Sequence, residues 1–369
     1  MALEYKLKLK RSSRCTLKFA TEAKRQKLKT TLEEYGQVVN FFIDRFWENI
    51  PKKGELLKDI VNLPDTWLSA RLRKVAAREA IDLIKSVKES GRTTKPIHSG
   101  KRMHVSSTIA NLQIHRTAKT FDCWLHLASI GNNTILDLPI KGHKHINRLM
   151  ALGKQLQSYI ITEDQVQFCF QIETGPKAEQ GEVVGIDTGI NALATLDDGQ
   201  QYGMQVKKQI ERIKNKEHGS NKQKKARRAL KQYMDETAKR VVSNKRLVVV
   251  EGLKKMNQKT KLTRRVSKNI RRSLGAWCYR YWLNRIQMAC ENNRVSFRTV
   301  NPAYTSQRCY ACGHTESGNR NREIFKCKSC GYTCNADVNA AKNILFRFLS
   351  GPYGAAYKPP DLDKSLVFC

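Results

Sequence analysis

The chain has 369 residues, enough for a well-buried core in two or three domains. Its 68 Lys and Arg against 33 Asp and Glu leave a formal charge of +35, an excess that repels itself in a compact state unless a polyanion offsets it. Nucleic acid is the implied partner; a membrane would attract the same charge, but no stretch approaches the roughly 20 apolar residues of a bilayer span. The first ten residues alternate instead of forming a secretory core. Of eleven cysteines only four stand in paired C-x-x-C spacing, which suits a reducing compartment, so the expectation is a soluble, intracellular protein with no membrane partner.

Leu3, Tyr5, Leu7 and Leu9 alternate with Glu4, Lys6, Lys8 and Lys10, as a half-buried strand requires. From Thr21 the spacing changes to Leu28, Leu32, Tyr35, Val39, Phe42 and Phe46, one helical stripe broken by Pro51 and Gly54. A second helix is expected from a cap at Asp65 or Thr66, through Leu68, Leu72, Val75, Ala76, Ala80 and Leu83, to Ser90-Gly91. Alternation returns weakly over 121–130 and clearly at Val166, Phe168, Phe170 and Ile172. The first 180 or so residues therefore predict a small β-barrel split by a helical insertion. His143 and His145, set among lysines with no acid nearby, read as a basic loop and not as metal ligands.

Two strand-like runs then surround Asp187 and turn at Asp197-Asp198-Gly199, which predicts a hairpin. The stretch 207–231 is dense in Lys and Arg and reads as a solvated helical excursion from the core. Arg246-Leu-Val-Val-Val-Glu251 is apolar enough for a central, parallel strand. Residues 254–272 carry nine Lys or Arg and no acid, a solvated loop or a phosphate contact. A helix holding Trp277, Tyr281, Ile286 and Met288 follows; its aromatic residues have helical spacing that favours the core over base stacking. After a short strand at 295–300 come the paired cysteines, and from Gly351 a Gly- and Pro-rich tail expected to be disordered.

Cys309, Cys312, Cys327 and Cys330 form two knuckles separated by 14 residues. Four soft thiolates close a tetrahedron with no open position, which favours one structural zinc over an iron–sulfur cluster or a catalytic metal. Asp187, Glu251 and Asp337 each have an ordinary explanation as a turn, a strand end and a helix N-terminus. Brought to about 4 Å, three carboxylates would repel by several kcal/mol per pair, which a fold tolerates when cations fill the gap. Oxygen ligands select magnesium, or manganese in its place, and two such ions could drive in-line phosphodiester cleavage. In that arrangement Asp187 bridges, Glu251 and Asp337 each hold one side, and Asn339 in the same helical turn supports them from behind. Asp187-Thr188-Gly189 also spells an aspartic-protease signature, but the chain holds no second copy to share the proton.

The strings Asn301-Pro-Ala-Tyr-Thr-Ser306-Gln-Arg-Cys309-x-x-Cys312-Gly-His, Phe325-Lys-Cys327-x-x-Cys330-Gly-Tyr and Ala336-Asp337-Val-Asn339-Ala-Ala-x-Asn343-Ile resemble the C-terminal signature of TnpB. TnpB proteins are insertion-sequence products related to compact type V CRISPR effectors and to Fanzor. Gly185-Ile-Asp187-x-Gly189 and Val-Val-Glu251-Gly-Leu253 match that family's first two RuvC motifs in order, and the resemblance covers roughly 182–346. It implies an α+β multidomain protein: an RNase H-like (RuvC) α/β nuclease core over 181–303 and 335–350, and an inserted zinc ribbon over 304–334. An N-terminal wedge β-barrel over 1–20 and 111–180 would be split by a helical recognition insertion over 21–110, with a disordered tail at 351–369.

The function so implied is RNA-guided cleavage of double-stranded target DNA next to a short transposon-associated motif, by a magnesium-dependent two-metal mechanism through Asp187, Glu251 and Asp337. The partners are a transposon-derived guide RNA, one protein per guide, and DNA, in a prokaryotic cytoplasm and on the nucleoid when on target. Two other readings stand beside it: a catalytically silent RNA-guided DNA-binding regulator, and a general zinc-ribbon RNA-binding protein.

Overall fold

Strand β1 (Leu7–Thr16) takes up the N-terminal alternation and pairs antiparallel along its whole length with β7 (Gln165–Thr174). A computed structural model describes residues 7–52, 55–56, 58–114, 120–121, 123–252, 272–273 and 275–351. They fall into two compact units that divide between Thr174 and Gly175. The basic run at 254–272 lies outside the described residues apart from its last residue, and the tail lies outside them beyond Gly351.

In the first unit, α1 (Glu22–Phe46) buries Leu28, Leu32, Tyr35, Val39, Phe42 and Phe46, the whole predicted stripe. The short α2 (Lys58–Val61) leads toward α3 (Ala70–Glu89), whose cap is Ser69 and not Asp65 or Thr66. The Ser69 hydroxyl accepts the Leu72 N–H at 3.2 Å, while Leu68 is taken up in an isolated bridge to Gly131, so the helix cannot begin earlier. Across the α1–α3 seam the Tyr35 hydroxyl donates to buried Glu79 at 2.8 Å. The remaining elements are β2 (Arg102–Ser106), β3 (Ala110–Ile114), β4 (Cys123–Leu127), β5 (Leu136–Ile140), α4 (Lys144–Leu152) and β6 (Gly153–Thr162). The strands expected to make one barrel hydrogen-bond as two antiparallel ladders, β1-β7-β6-β2 and β3-β4-β5, which share one apolar core with the helices. His143 precedes α4 and its ring bonds the Arg14 carbonyl at 3.0 Å, a structural role.

The second unit is built on a five-stranded sheet in the order β10-β9-β8-β11-β12. Its members are β8 (Glu182–Asp187), β9 (Ala194–Leu196), β10 (Gln201–Tyr202), β11 (Lys245–Glu251) and β12 (Ser296–Val300). The inner pairs β8–β11 and β11–β12 are parallel, and β9 returns antiparallel on β8. Parallel strands need crossovers, supplied by α5 (Val206–Lys214), α6 (Asn221–Val242) and α7 (Tyr279–Asn292). Val184, Ile186, Val248 and Val250 face these helices. Val183 and Val249 face the other way, onto Ile344 and Leu345 of α8 (Ala336–Leu349). Burial on both faces explains the unbroken valine run of β11.

The stretch 207–231 is thus no excursion. Val206, Ile210 and Ile213 of α5, with Leu230, Met234, Ala238 and Val241 of α6, form sparse stripes at three- and four-residue spacing that cover one sheet face. Trp282 and Tyr279 are core residues of α7, and Trp277 lies just ahead of it. Between β12 and α8 sits a small three-stranded sheet of β13 (Arg320–Asn321), β14 (Ile324–Lys326) and β15 (Thr333–Asn335), which carries the four cysteines with the loops around it. Among the described residues no helix is long and apolar enough to cross a membrane.

Candidate active site

Asp187 and Glu251 are the last residues of β8 and β11, neighbouring parallel strands in which Ile186 pairs with Val250. The register therefore sets the two acids side by side at the carboxyl edge of the sheet, where open α/β folds place their ligands. Asp337 arrives from α8. Asn335 caps that helix, its Oδ1 accepting the N–H groups of Asp337 at 2.9 Å and Val338 at 3.2 Å, so the third acid is fixed in the first turn. Gly185 lets α8 lie against β8: a Cβ there would stand 2.3 Å from the Ala341 carbonyl oxygen and 2.9 Å from the Leu345 nitrogen.

Asp187 feels the other two acids. Burial pushes the Asp187 carboxyl up to about 7, the charges of Asp337 and Glu251 push in the same direction, and Arg320 and the Thr188 N–H pull back. Burial also raises Glu251, against the Thr305 hydroxyl bond and the charges of Arg347 and Arg320. The carboxylates are not drawn together to the expected 4 Å or so: among the described residues only the cysteine quartet gathers three or more ligand atoms within 4.8 Å. Each outer acid is held by a protein donor. Arg320 Nη2 lies 2.6 Å from Asp337 Oδ1, and the Thr305 hydroxyl donates to Glu251 Oε1.

Asn339 faces the knuckle. Fully buried, it accepts the Tyr310 N–H at 3.1 Å and donates to the Arg308 carbonyl at 2.8 Å. Asn343, one turn on, donates to the carbonyls of Thr305 at 3.0 Å and Arg308 at 2.7 Å and accepts from Arg308 Nη1 at 2.9 Å. A hydrogen-bond chain thus runs from the first knuckle through α8 to Thr305 and on to Glu251. Arg320, Thr305 and Asn343 escape a reading by charge type and periodicity, since an arginine between two knuckles resembles any ribbon surface charge. Thr305 and Asn343 stand within the motif strings quoted above, but their spacing from the acids carries no sign of these bonds.

Cys309 and Cys330 sulfurs lie 3.7 Å apart and those of Cys312 and Cys327 3.6 Å. A tetrahedron with Zn–S bonds of about 2.3 Å has edges of roughly 3.8 Å, so the quartet fits zinc without rearrangement. Gly313 (φ 83°) and Gly331 (φ 74°) make the turn after each knuckle. Their N–H groups bond back to the carbonyls of Cys309 at 2.9 Å and Cys327 at 3.0 Å. For the acids, an all-oxygen donor set, with burial and then the neighbouring carboxylates lifting Asp187, fits magnesium or manganese.

Residues 279–344 match the family described as "Cas12f1-like, TNB domain". InsQ of Escherichia coli (strain K12), whose name assigns it provisionally to the RNA-guided DNA endonucleases, is 32% identical over 236 residues, 55% of this chain and 56% of its own. A TnpB-like protein of Aquifex aeolicus (strain VF5) is 36% identical over 87 residues, 23% of this chain and 28% of its own. The chain therefore spans about half the length of the first of these relatives and less of the second. Among solved structures, the Cas12f1–sgRNA–target DNA complex aligns with TM-score 0.51 over 88% of this chain and 83% of that one, at 14% identity, a likeness of α+β fold.

Proposed function

We propose, from the chain's similarity to TnpB-like proteins and from its convergent acids, that it is an RNA-guided DNA endonuclease acting through Asp187, Glu251 and Asp337. The observation that carries this reading is the strand register that sets Asp187 beside Glu251, with Asp337 in the first turn of α8, near enough that Glu251 and Asp337 both raise the Asp187 carboxyl. The relatives named for endonuclease activity and the Cas12f1 complex with guide and target support the choice of substrate.

Magnesium ions, when bound, supply the positive charge that offsets the three carboxylates and the charge developing on the phosphodiester. The rest falls to the chain. Asp187 loses its proton near neutrality and offers both oxygens between its neighbours. Thr305 fixes the rotamer of Glu251, the Asn335 cap fixes the backbone of Asp337, and Arg320 keeps a guanidinium beside the acids where a phosphate would enter. The sheet edge and its helices make up an RNase H-like, RuvC-type core over 181–303 and 335–350 with a zinc ribbon over 304–334. The two ladders and α1–α3 make up the wedge and recognition parts over 1–180, a reading supported by their separate compact unit. The proposed partners are one transposon-derived guide RNA per protein and double-stranded DNA carrying a short adjacent motif, in a prokaryotic cytoplasm.

The test is an Asp187→Ala chain purified with its co-expressed RNA. Magnesium-dependent cutting of a guide-matched duplex should vanish while the RNA stays bound; undiminished cutting by the variant, or no cutting by the parent chain with any guide-matched target, sinks the proposal.

A further inference from the structure

We propose that a cavity beside the candidate acids holds a nucleobase of the strand presented for cleavage, with Tyr304 as its stacking surface. This rests on the nuclease reading and adds to it a binding subsite. The cavity measures about 730 Å³. One loop serves both places: Thr305 is buried and donates to Glu251, whereas Asn301, Ala303 and Tyr304 are exposed and line the cavity. The residue before that loop, Val300, pairs across the sheet with Glu251 itself.

Three features point to a base with its phosphate. Tyr304 adopts φ 63°, a left-handed conformation uncommon for a bulky side chain. Tyr304 is 63% exposed, so packing does not explain the choice. The carbonyl of Tyr304 accepts the N–H groups of Gln307 at 3.0 Å and Arg308 at 2.9 Å, which hold the strained turn in place.

The second feature is the floor, where the Arg308 guanidinium lies 4.5 Å over the ring of buried Phe346. The third is charge. Among the described residues Arg308 and Arg347 line the cavity and no carboxylate does, and the Arg347 charge reaches Glu251. A flat ligand carrying an anion fits such a lining. Stacking on an aromatic face beside arginines tolerates any base, as an enzyme directed by a guide requires.

The experiment is photocrosslinking. The full chain with its co-purified RNA is irradiated with a single-stranded DNA oligonucleotide carrying 5-iododeoxyuridine, and the modified peptide is mapped by mass spectrometry. Crosslinks should fall on Tyr304, persist in Asp187→Ala and drop at least tenfold in Tyr304→Gly. Glycine suits the left-handed backbone, so that variant should unfold no earlier than the parent. Tyr304→Phe should retain binding. In cleavage assays Tyr304→Gly should raise KM for target about tenfold with kcat little changed, and an abasic residue at the docked position of the DNA should mimic it without adding to it.

Crosslinks spread over α6 and unchanged in Tyr304→Gly would overturn the subsite while leaving the nuclease reading intact. Protection of Tyr304 from modification in the DNA-free chain, by a protein segment seated in the cavity, would overturn it too. Crosslinking at Tyr304 in a chain that never cuts would uphold the subsite and remove the nuclease reading.

Discussion

Arg320 of the ribbon and Asp337 of α8 face each other at 2.6 Å, so the small cysteine-bearing module reaches across and holds one of the three acids. The ribbon is thereby part of the candidate active site. Arg320 is partly exposed, so its value lies in position more than in ion-pair stability. Replacing Arg320 by Ala should lower cleavage by about 10²–10³-fold with guide-RNA binding retained, as loss of a preorganised charge-stabilising donor does elsewhere. Because Arg320 also pulls the Asp187 carboxyl down, the acid limb of the pH–rate profile should move to higher pH in the variant. A profile that keeps its limb while the rate falls would assign Arg320 a purely structural part.

The raised carboxyl of Asp187 makes both activity and stability depend on pH. Cutting should fall as pH drops below about 7, and added magnesium, competing with the proton, should restore part of it. Stability runs the other way. The folded carboxyl ionises at about 7 and the unfolded one near 4, so the folded chain binds the extra proton between those values. Without magnesium, stability should therefore be greatest below that window and decline as pH rises through it, by at most about 4 kcal/mol. Urea unfolding from pH 5 to 8, in magnesium-free buffer without chelator so that zinc stays bound, checks this against Asp187→Asn, which should be flat across the window.

Thr305 tests the hydrogen-bond chain. Thr305→Val keeps the shape and removes the donor to Glu251, so stability should change by only about 1 kcal/mol. The magnesium concentration for half-maximal cutting should nevertheless rise several-fold. Manganese binding to the RNA-loaded variant, followed by its paramagnetic resonance, should weaken in parallel and report the effect without any cleavage.

Gly185→Ala would push a methyl into the α8 backbone, against Ala341 and Leu345. Overpacking of this kind destabilises by about 1–3 kcal/mol. Because the displaced helix carries Asp337, cleavage should drop further than the stability loss accounts for, a comparison made at a temperature where thermal unfolding shows both proteins folded.

Removal of zinc should reach the acids as well. Cys327→Ser should lower the zinc content, measured by elemental mass spectrometry, from one per chain to well below it, and abolish cutting, since structural zinc contributes about 10–16 kcal/mol in small peptides. Retained cleavage in a zinc-free preparation would uncouple the ribbon from the site.

Much of this site could be read from the chain before any coordinates. Asp187 and Glu251 each close an apolar run, and parallel pairing turns that linear fact into adjacency. The knuckles announce themselves because tetrahedral thiolate ligation demands fixed spacing. What stayed hidden depends on partners distant in sequence. Nothing local to Arg320 or Asn343 shows that one meets Asp337 and the other the knuckle carbonyls. Composition concealed the role of α5 and α6, whose few apolar residues are enough to cover a sheet face when aligned on one side. The start of α3 moved to Ser69 because Leu68 has a strand-like partner in Gly131, a competition that propensity cannot register. Nor does anything local show that Arg320 and Thr305 each hold one of the outer acids.

The position of α8 as the final described element carries a consequence for biosynthesis. The ribosome delivers β8 and β11 early, but Asp337 emerges only after both knuckles, and the helix bearing it must then slot against Gly185. A partly translated or prematurely terminated polypeptide would hold two acids and no third. On the proposed reading, the three-acid site would be completed in a single late event, after the strands that carry the other two acids.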